Sequence, residues 1–249
     1  MDLYLKDRVA LITGAGSGIG RTTALFLAEE GVRICCADLF EEKAAETVKM
    51  VEERGGDAVK SICDVRNYEQ VTRTVSDTVR SLGKIDILIN SAGVAAGGLF
   101  ADTEPEGWSH EININLLGTM NCCRSAVDHM IPRGYGKIVN LASDAGRVGE
   151  KRMSVYGAAK GGVIGFTKCL AIEMARFKIN VNAVSPGVVR SPMTSYLTDD
   201  MAKEWARFYP LRRLGETEDI ANMIVFLCSD RTSWVTGQTI SVDGGFSRV

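Results

Sequence analysis

Short apolar runs alternate along the chain with longer segments whose apolar residues recur at helical spacing. Seven runs read as strands: RVALIT (8–13), VRICCAD (32–38), DAVKSICD (57–64), IDILIN (85–90), GKIVNLAS (136–143), INVNAVSP (179–186) and QTISVDGG (238–245). Several are apolar on consecutive positions, the mark of strands covered on both faces in a parallel sheet. Between them the spacing predicts helices over 19–30, 41–54, 68–82, 108–131, 154–177 and 218–228. No linker, repeat or low-complexity segment interrupts the alternation. The pattern therefore predicts an α/β fold: one domain over 1–249 with a doubly wound parallel sheet and helices on both faces.

A chain of 249 residues is long enough to bury most of its apolar surface in one core. Lys and Arg number 29 against 31 Asp and Glu, so no strong field favours nucleic acid or an anionic membrane. A small-molecule substrate is the expected partner. The N-terminal MDLYLKDRVALITG carries charge where a signal peptide needs an apolar core, and no apolar run reaches the length of a membrane span, which predicts a cytoplasmic protein. Seven cysteines contain no C-x-x-C pair and read as small hydrophobes in a reducing compartment. The two histidines, His110 and His129, stand in no metal-ligand spacing, so no metal is expected and histidine-based hydrolysis is disfavoured.

The first strand runs into TGAGSGIG (13–20) and then into a helix. A glycine-rich turn in that position lets backbone N–H groups approach a pyrophosphate, with the helix N-terminus adding partial positive charge. The spacing is G-x-x-x-G-x-G through Gly14, Gly18 and Gly20, with Ser17 and Ile19 between them, rather than the strict G-x-G-x-x-G. The second run ends in Asp38, where a dinucleotide fold places a carboxylate for the adenosine ribose. A 2′-phosphate there would meet like charge, and neither Ser17 nor Leu39 offers it a cation. The expected cofactor is NAD rather than NADP.

SVYGAAKGG (154–162) sets Tyr156 and Lys160 four residues apart, on one helical face, among small residues. A phenol titrates near pH 10, and bringing it near neutrality needs roughly 4 kcal/mol of preference for phenolate. An ammonium about 4 Å away at an effective dielectric near 20 supplies that order of energy, so Lys160 is expected to bring Tyr156 most of the way. Tyr156 could then exchange a proton with an alcohol as hydride leaves. Ser143, at the end of the fifth run, could hydrogen-bond the same oxygen.

With these residues the sequence resembles the short-chain dehydrogenase/reductase family, a Rossmann-type fold. The resemblance spans the whole chain through TGAGSGIG, Asp38, CDV (63–65), NSAG (90–93), Asn115, Ser143, YGAAK (156–160) and SPGVV (185–189). It implies that Asp64 and Val65 meet the adenine, Asn90 and its neighbours line the adenosine side, and Val189 offers backbone bonds to the carboxamide. It also implies that Lys160 holds the nicotinamide ribose, that Asn115 positions a proton-relaying water, and that Tyr156 is the acid/base. A homo-oligomer, often a tetramer, or pairing with a related subunit is implied as well. Two departures stand out: Ser91 replaces the second Asn of the usual NNAG, and Ser191 stands for the usual Thr after the Pro-Gly pair.

Substrate choice is expected from loops at the strand C-termini: 94–104, 144–153 and 190–215, the last a candidate lid. The lid carries Met193, Tyr196, Leu197, Met201, Trp205, Phe208 and Tyr209, a set suited to a ring or an acyl chain. Arg147, Lys151, Arg152 and Arg190 could meet a carboxylate or the phosphates of a coenzyme A thioester, with Arg147 and Met193 as candidate substrate contacts. SDAGRVG after Ser143 resembles hydroxyacyl-CoA dehydrogenases of aromatic and alicyclic acid degradation. The expected reaction is NAD-dependent oxidation of a secondary alcohol, the β-hydroxyl of a ring-bearing acyl-CoA. The alternatives are a 3-oxoacyl thioester reductase, for which the resemblance implies NADP, and a catalytically silent subunit.

Overall fold

The computed structural model describes residues 1–248. Strands β1 (Val9–Thr13), β2 (Arg33–Asp38), β3 (Ala58–Ile62), β4 (Ile87–Asn90), β5 (Gly136–Leu141), β6 (Ile179–Pro186) and β7 (Thr239–Val242) form one parallel sheet in the order β3-β2-β1-β4-β5-β6-β7. Every residue of β1, β4 and β5 is buried, whereas β3 alternates and β7 is only half buried. That gradient explains the sequence pattern: central strands are apolar on consecutive positions because both faces are covered, and the edges need less.

Nine α-helices are present among the described residues: α1 (Gly18–Glu29), α2 (Glu41–Glu53), α3 (Tyr68–Leu82), α4 (Pro105–Ile112), α5 (Gly118–Met130), α6 (Asp144–Arg147), α7 (Ser154–Met174), α8 (Asp199–Ala206) and α9 (Thr217–Cys228). On one sheet face Ala10, Ile12, Ile87 and Ile89 pack with Leu27 of α1 and Ile220 and Ile224 of α9. On the other, Leu11, Leu88 and Ile138 pack with Val75 of α3, Ala126 and Met130 of α5 and Ala171 of α7. Successive strand residues point to opposite layers, so each central strand feeds both cores. None of these helices is long and apolar enough to cross a membrane.

The strongest local signals are matched closely. Helix α3 begins where the Asn67 side chain accepts the Gln70 N–H and ends at Gly83, whose φ of 84° suits a left-handed cap. The expected helix over 108–131 differs. It starts earlier, with Pro105 in its first turn, and residues 113–117 form a π-helical turn between α4 and α5. Within that turn the Asn115 side chain donates to the Glu111 carbonyl, and Gly118 lies so close to Val65 that a Cβ would stand 2.6 Å from its Cγ2. These are tertiary contacts, which periodicity cannot report; π turns of this kind are frequent at functional sites.

Strand order reverses between β1 and β4, which open towards opposite sides, leaving a crevice at their carboxyl ends.

Candidate active site

The turn from β1 to α1 is shaped for close approach of a ligand backbone. Gly14 has φ of +66°, and a Cβ there would stand 2.8 Å from the backbone of Ala92; a Cβ on Gly20 would overlap the Gly14 carbonyl oxygen. Ser17 enters α1 in an extended conformation without a side-chain cap, and no acidic residue stands in the first turn. Ile19 packs its side chain onto the core and leaves its backbone to the turn. An anion therefore meets helix N–H groups without competition from a carboxylate. Asp38, at the end of β2, is fixed by the N–H groups of Gly16 (2.9 Å) and Phe40 (3.0 Å). These residues fit the pyrophosphate and adenosine ribose of a dinucleotide.

Two cations near this turn escaped the sequence reading. Arg21 donates to the Gly16 carbonyl and pairs with Glu46, and the Lys43 ammonium lies 4.7 Å over the Phe40 ring. Helical spacing alone gives no sign that either reaches the glycine turn. Beyond β3, Asp64 is gripped by Arg66, whose guanidinium holds that carboxyl below the usual range. Val65 is buried, and its carbonyl accepts from Asn121. Asn90 turns its side chain into the protein, where it donates to Asn140 (2.8 Å) and Cys123, which leaves its backbone to face the adenosine side. Val189 pairs with Gly215, and its carbonyl accepts from Thr194. Ser191 and Pro192 close over Gly18, 3.7 Å from its Cβ position, so the lid stretch also covers the cofactor turn.

Ser143 follows β5 and caps α6, its Oγ accepting the Ala145 N–H (3.2 Å). The same hydroxyl lies beside the Tyr156 phenol and opposes the rise of its pKa. Lys160 is buried, donates to the Leu141 carbonyl (2.7 Å), and holds its ammonium 5.7 Å from the Tyr156 ring centroid. The small residues of α7 explain this proximity. A Cβ on Gly157 would stand 2.8 Å from the Ala145 carbonyl oxygen, one on Gly162 2.8 Å from Leu116, and Gly146 of α6 lies against the Gly161 backbone. Each glycine costs helix propensity of about 1 kcal/mol and in return lets α7 press on its neighbours.

The electrostatics depart from the expectation for the pair. Burial pushes the Tyr156 phenol up to about 12, with Ser143 opposing and the Glu150 and Glu111 carboxylates adding to the rise. Burial also draws Lys160 down to about 8. The ammonium alone does not bring the phenol near neutrality, because it faces Leu141 while desolvation penalises phenolate. Asn115 is fully buried, accepting from the Val94 N–H and donating to the Val94 and Glu111 carbonyls. Its Oδ1 and the Lys160 ammonium both lie against Gly93, 2.8 and 3.6 Å from the Cβ position.

The substrate loops also sort differently from their composition. Arg147 does not face a ligand: it donates to the Thr239 carbonyl and Ser241 Oγ on β7. A guanidinium within reach of a strand carbonyl and a hydroxyl binds both with charge-assisted hydrogen bonds. Arg190 pairs with Glu216, while Lys151 and Arg152 are exposed. Of the lid set, Leu197, Trp205 and Tyr209 pack into a satellite cluster with Ala202 and Leu214, whereas Met193, Tyr196 and Phe208 remain exposed.

Comparison with known proteins agrees with this geometry. A family model described as enoyl-(acyl carrier protein) reductase matches residues 14–247. The chain is 39% identical to the 3-oxoacyl-[acyl-carrier-protein] reductase FabG of Thermotoga maritima, covering 98% of this chain and 99% of that one. It is also 39% identical to the (2S)-[(R)-hydroxy(phenyl)methyl]succinyl-CoA dehydrogenase subunit BbsD of Thauera aromatica, over 98% of both. A crystal structure described as a short-chain alcohol dehydrogenase from Sinorhizobium meliloti superimposes with a TM-score of 0.94 at 37% identity, covering 99% of this chain and 98% of that one. With the glycine turn, the reversed strand order and Ser143, Tyr156 and Lys160 gathered beside one crevice, these matches give one conclusion: the chain belongs to the short-chain dehydrogenase/reductase family.

Proposed function

We propose that this oxidoreductase interconverts a secondary alcohol and a ketone on an acyl thioester, using NAD. The observation that carries the reading is the convergence of Ser143 and Tyr156 on one point beside the dinucleotide crevice, with Lys160 buried behind them. Ser143 would hold the substrate oxygen, Tyr156 would give or take its proton, and Lys160 would orient the nicotinamide ribose and contribute positive charge. The bound nicotinamide supplies the hydride acceptor or donor and, in its oxidised form, further positive charge. An acyl thioester is the substrate class common to the names of both relatives cited above. A ring-bearing hydroxyacyl-CoA oxidised at its β-hydroxyl is the specific substrate favoured by SDAGRVG, with Met193 and the exposed lid aromatics as its apolar contacts.

A second reading, reduction of a 3-oxoacyl thioester, has a specific observation in its favour. Tyr156 pushed up to about 12 remains a phenol at neutral pH, the form that protonates a carbonyl oxygen. Both readings are tested by one panel: NADH formation from β-hydroxyacyl-CoA esters against NADH and NADPH consumption with 3-oxoacyl thioesters. Activity on free acids equal to that on their thioesters would remove the thioester assignment.

Cofactor choice rests on Asp38. Its fixed carboxylate would accept hydrogen bonds from a ribose diol and would repel a 2′-phosphate, while Arg21 is already engaged by Glu46. The wild type is expected to favour NAD over NADP in kcat/KM, and Asp38→Ala to shrink that ratio by about tenfold, or roughly 1.4 kcal/mol. A wild-type preference for NADP would show that Lys43 outweighs the aspartate.

A further inference from the structure

Behind Ser143 lies a second carboxyl cluster that the reaction does not use. Asp144, the first residue of α6, is fully buried; its Oδ1 accepts from Ser185 Oγ (3.0 Å), and its Oδ2 has no donor. Ser185 pairs with Ser241 and Pro186 with Val242 across β6 and β7, which brings Asp243, the next residue of the chain, beside Asp144; its own oxygens already accept the Gly245 N–H (2.9 Å), the Ser247 N–H (2.7 Å) and the Ser247 hydroxyl. A bare carboxylate oxygen buried against another carboxylate has no stable arrangement, and two such groups cannot both ionise at contact. A proton on Asp144 Oδ2 resolves this, because the group becomes a donor and Asp243 its acceptor.

We propose that Asp144 is held as a neutral carboxylic acid that donates to Asp243, and that this shared proton makes Asp144 a positioning residue for Ser143. The proton completes a closed ring of side chains. Arg147 donates to Ser241 Oγ, which hydrogen-bonds Ser247 Oγ; Ser247 donates to Asp243, and Asp243 accepts from Asp144, one turn before Arg147 on α6. The ring fastens the turn that carries Ser143 to β7 and the C-terminal segment, and Gly187, just before the lid stretch, packs closely on Asp243, which lies 3.2 Å from its Cβ position.

The surroundings favour the neutral acid. Burial is the main cause that raises Asp144, to about 7; Asp243 adds to the rise and Ser185 opposes it. Glu150, from the loop after α6, also faces it, and Tyr209, from beyond α8, feels both carboxyls. Arg147 on the same helix is directed to β7. Asp243 moves the other way, held below the usual range by its Ser247 and Gly245 donors despite its burial. The sign follows. Folded Asp144 binds its proton more tightly than unfolded, so its contribution to stability is full below about pH 4, diminishes as pH rises, and is lost above about pH 7.

Carbon-13 NMR of the aspartate carboxyls tests the neutral acid in the wild type. One resonance titrating near neutrality, absent from Asp144→Asn, is expected; titration of every aspartate below about pH 5 overturns the shared proton. Asn can accept from Ser185 and donate to Asp243 at any pH, so the ratio of kcat/KM for Asp144→Asn to wild type should rise severalfold from about pH 6 to about pH 9. The ratio cancels titration of Tyr156. This activity readout rests on the proposed role of Ser143, and the NMR readout does not. A near-neutral resonance with a pH-independent ratio would overturn the positioning role alone, whereas loss of both signals would overturn the proposal as a whole.

Discussion

Tyr156→Phe is expected to lower kcat about 10³-fold in either direction while leaving the Kd for NAD within about twofold. The variant removes one oxygen, the one beside Ser143, and leaves the ring near Lys160 in place. The glycine turn and Asp38 lie on β1, α1 and β2, away from α7, and Lys160, the proposed ribose contact on α7, is unchanged in the variant, so cofactor binding should survive the loss of chemistry. Fluorescence titration of NAD beside single-turnover hydride transfer checks the split. Retention of more than about a tenth of wild-type turnover would falsify the assignment of Tyr156 as acid/base. The raised phenol adds a direction to the pH profile. Oxidation needs the phenolate, so its rate should climb about tenfold per pH unit below the phenol pKa, whereas reduction, which needs the phenol, should stay level over the same range.

Gly146→Ala is expected to lower kcat about 10²-fold without any change in a group that touches substrate. The added methyl would stand 2.5 Å from the Gly161 backbone nitrogen and 2.8 Å from Lys160 Cβ, closer than Cβ contacts allow, and backbone cannot swing aside as a flexible side chain does. Helix α7 must retreat from α6, carrying Tyr156 and Lys160 away from Ser143. Overpacking of this kind costs about 1–3 kcal/mol, so the melting temperature should fall on the order of 5 °C. Gly165, on the same helix but with open space at its Cβ position, is the control: Gly165→Ala should leave kcat close to wild type and raise Tm by a few degrees at most, as a gain in helix propensity of about 1 kcal/mol requires. A Tm for Gly146→Ala that rises as it does for Gly165→Ala would show that helix propensity, not the α6–α7 contact, governs this region.

Much of this architecture was legible in the order of residues. Five of the six expected helices and all seven strands appear within a few positions, because periodicity is a local property set by which faces are covered. The glycine turn, Asp38 at the end of β2 and the four-residue spacing of Tyr156 and Lys160 are likewise local, and each sits where its motif placed it.

Side-chain destinations were not legible in the same way. Composition gave Arg147 to the substrate, but its partner Ser241 lies 94 residues away in the chain and reaches it only once β7 joins the sheet edge. Asn90 looked available to the cofactor, yet pairing of β4 with β5 brings Asn140 beside it and turns its amide inward. The lid aromatics could not be divided into packed and exposed sets without knowing that Leu197, Trp205 and Tyr209 find a common cluster.

By itself, then, the sequence determined the layered α/β plan, the dinucleotide turn and the Tyr156–Lys160 face, since these depend on spacing along the backbone. Only the tertiary structure decided the proton chemistry. The rise of Tyr156, the fall of Lys160 and the pairing of Asp144 with Asp243 come from burial and from neighbours on distant strands, and a charge is stabilised or penalised by what surrounds it in space.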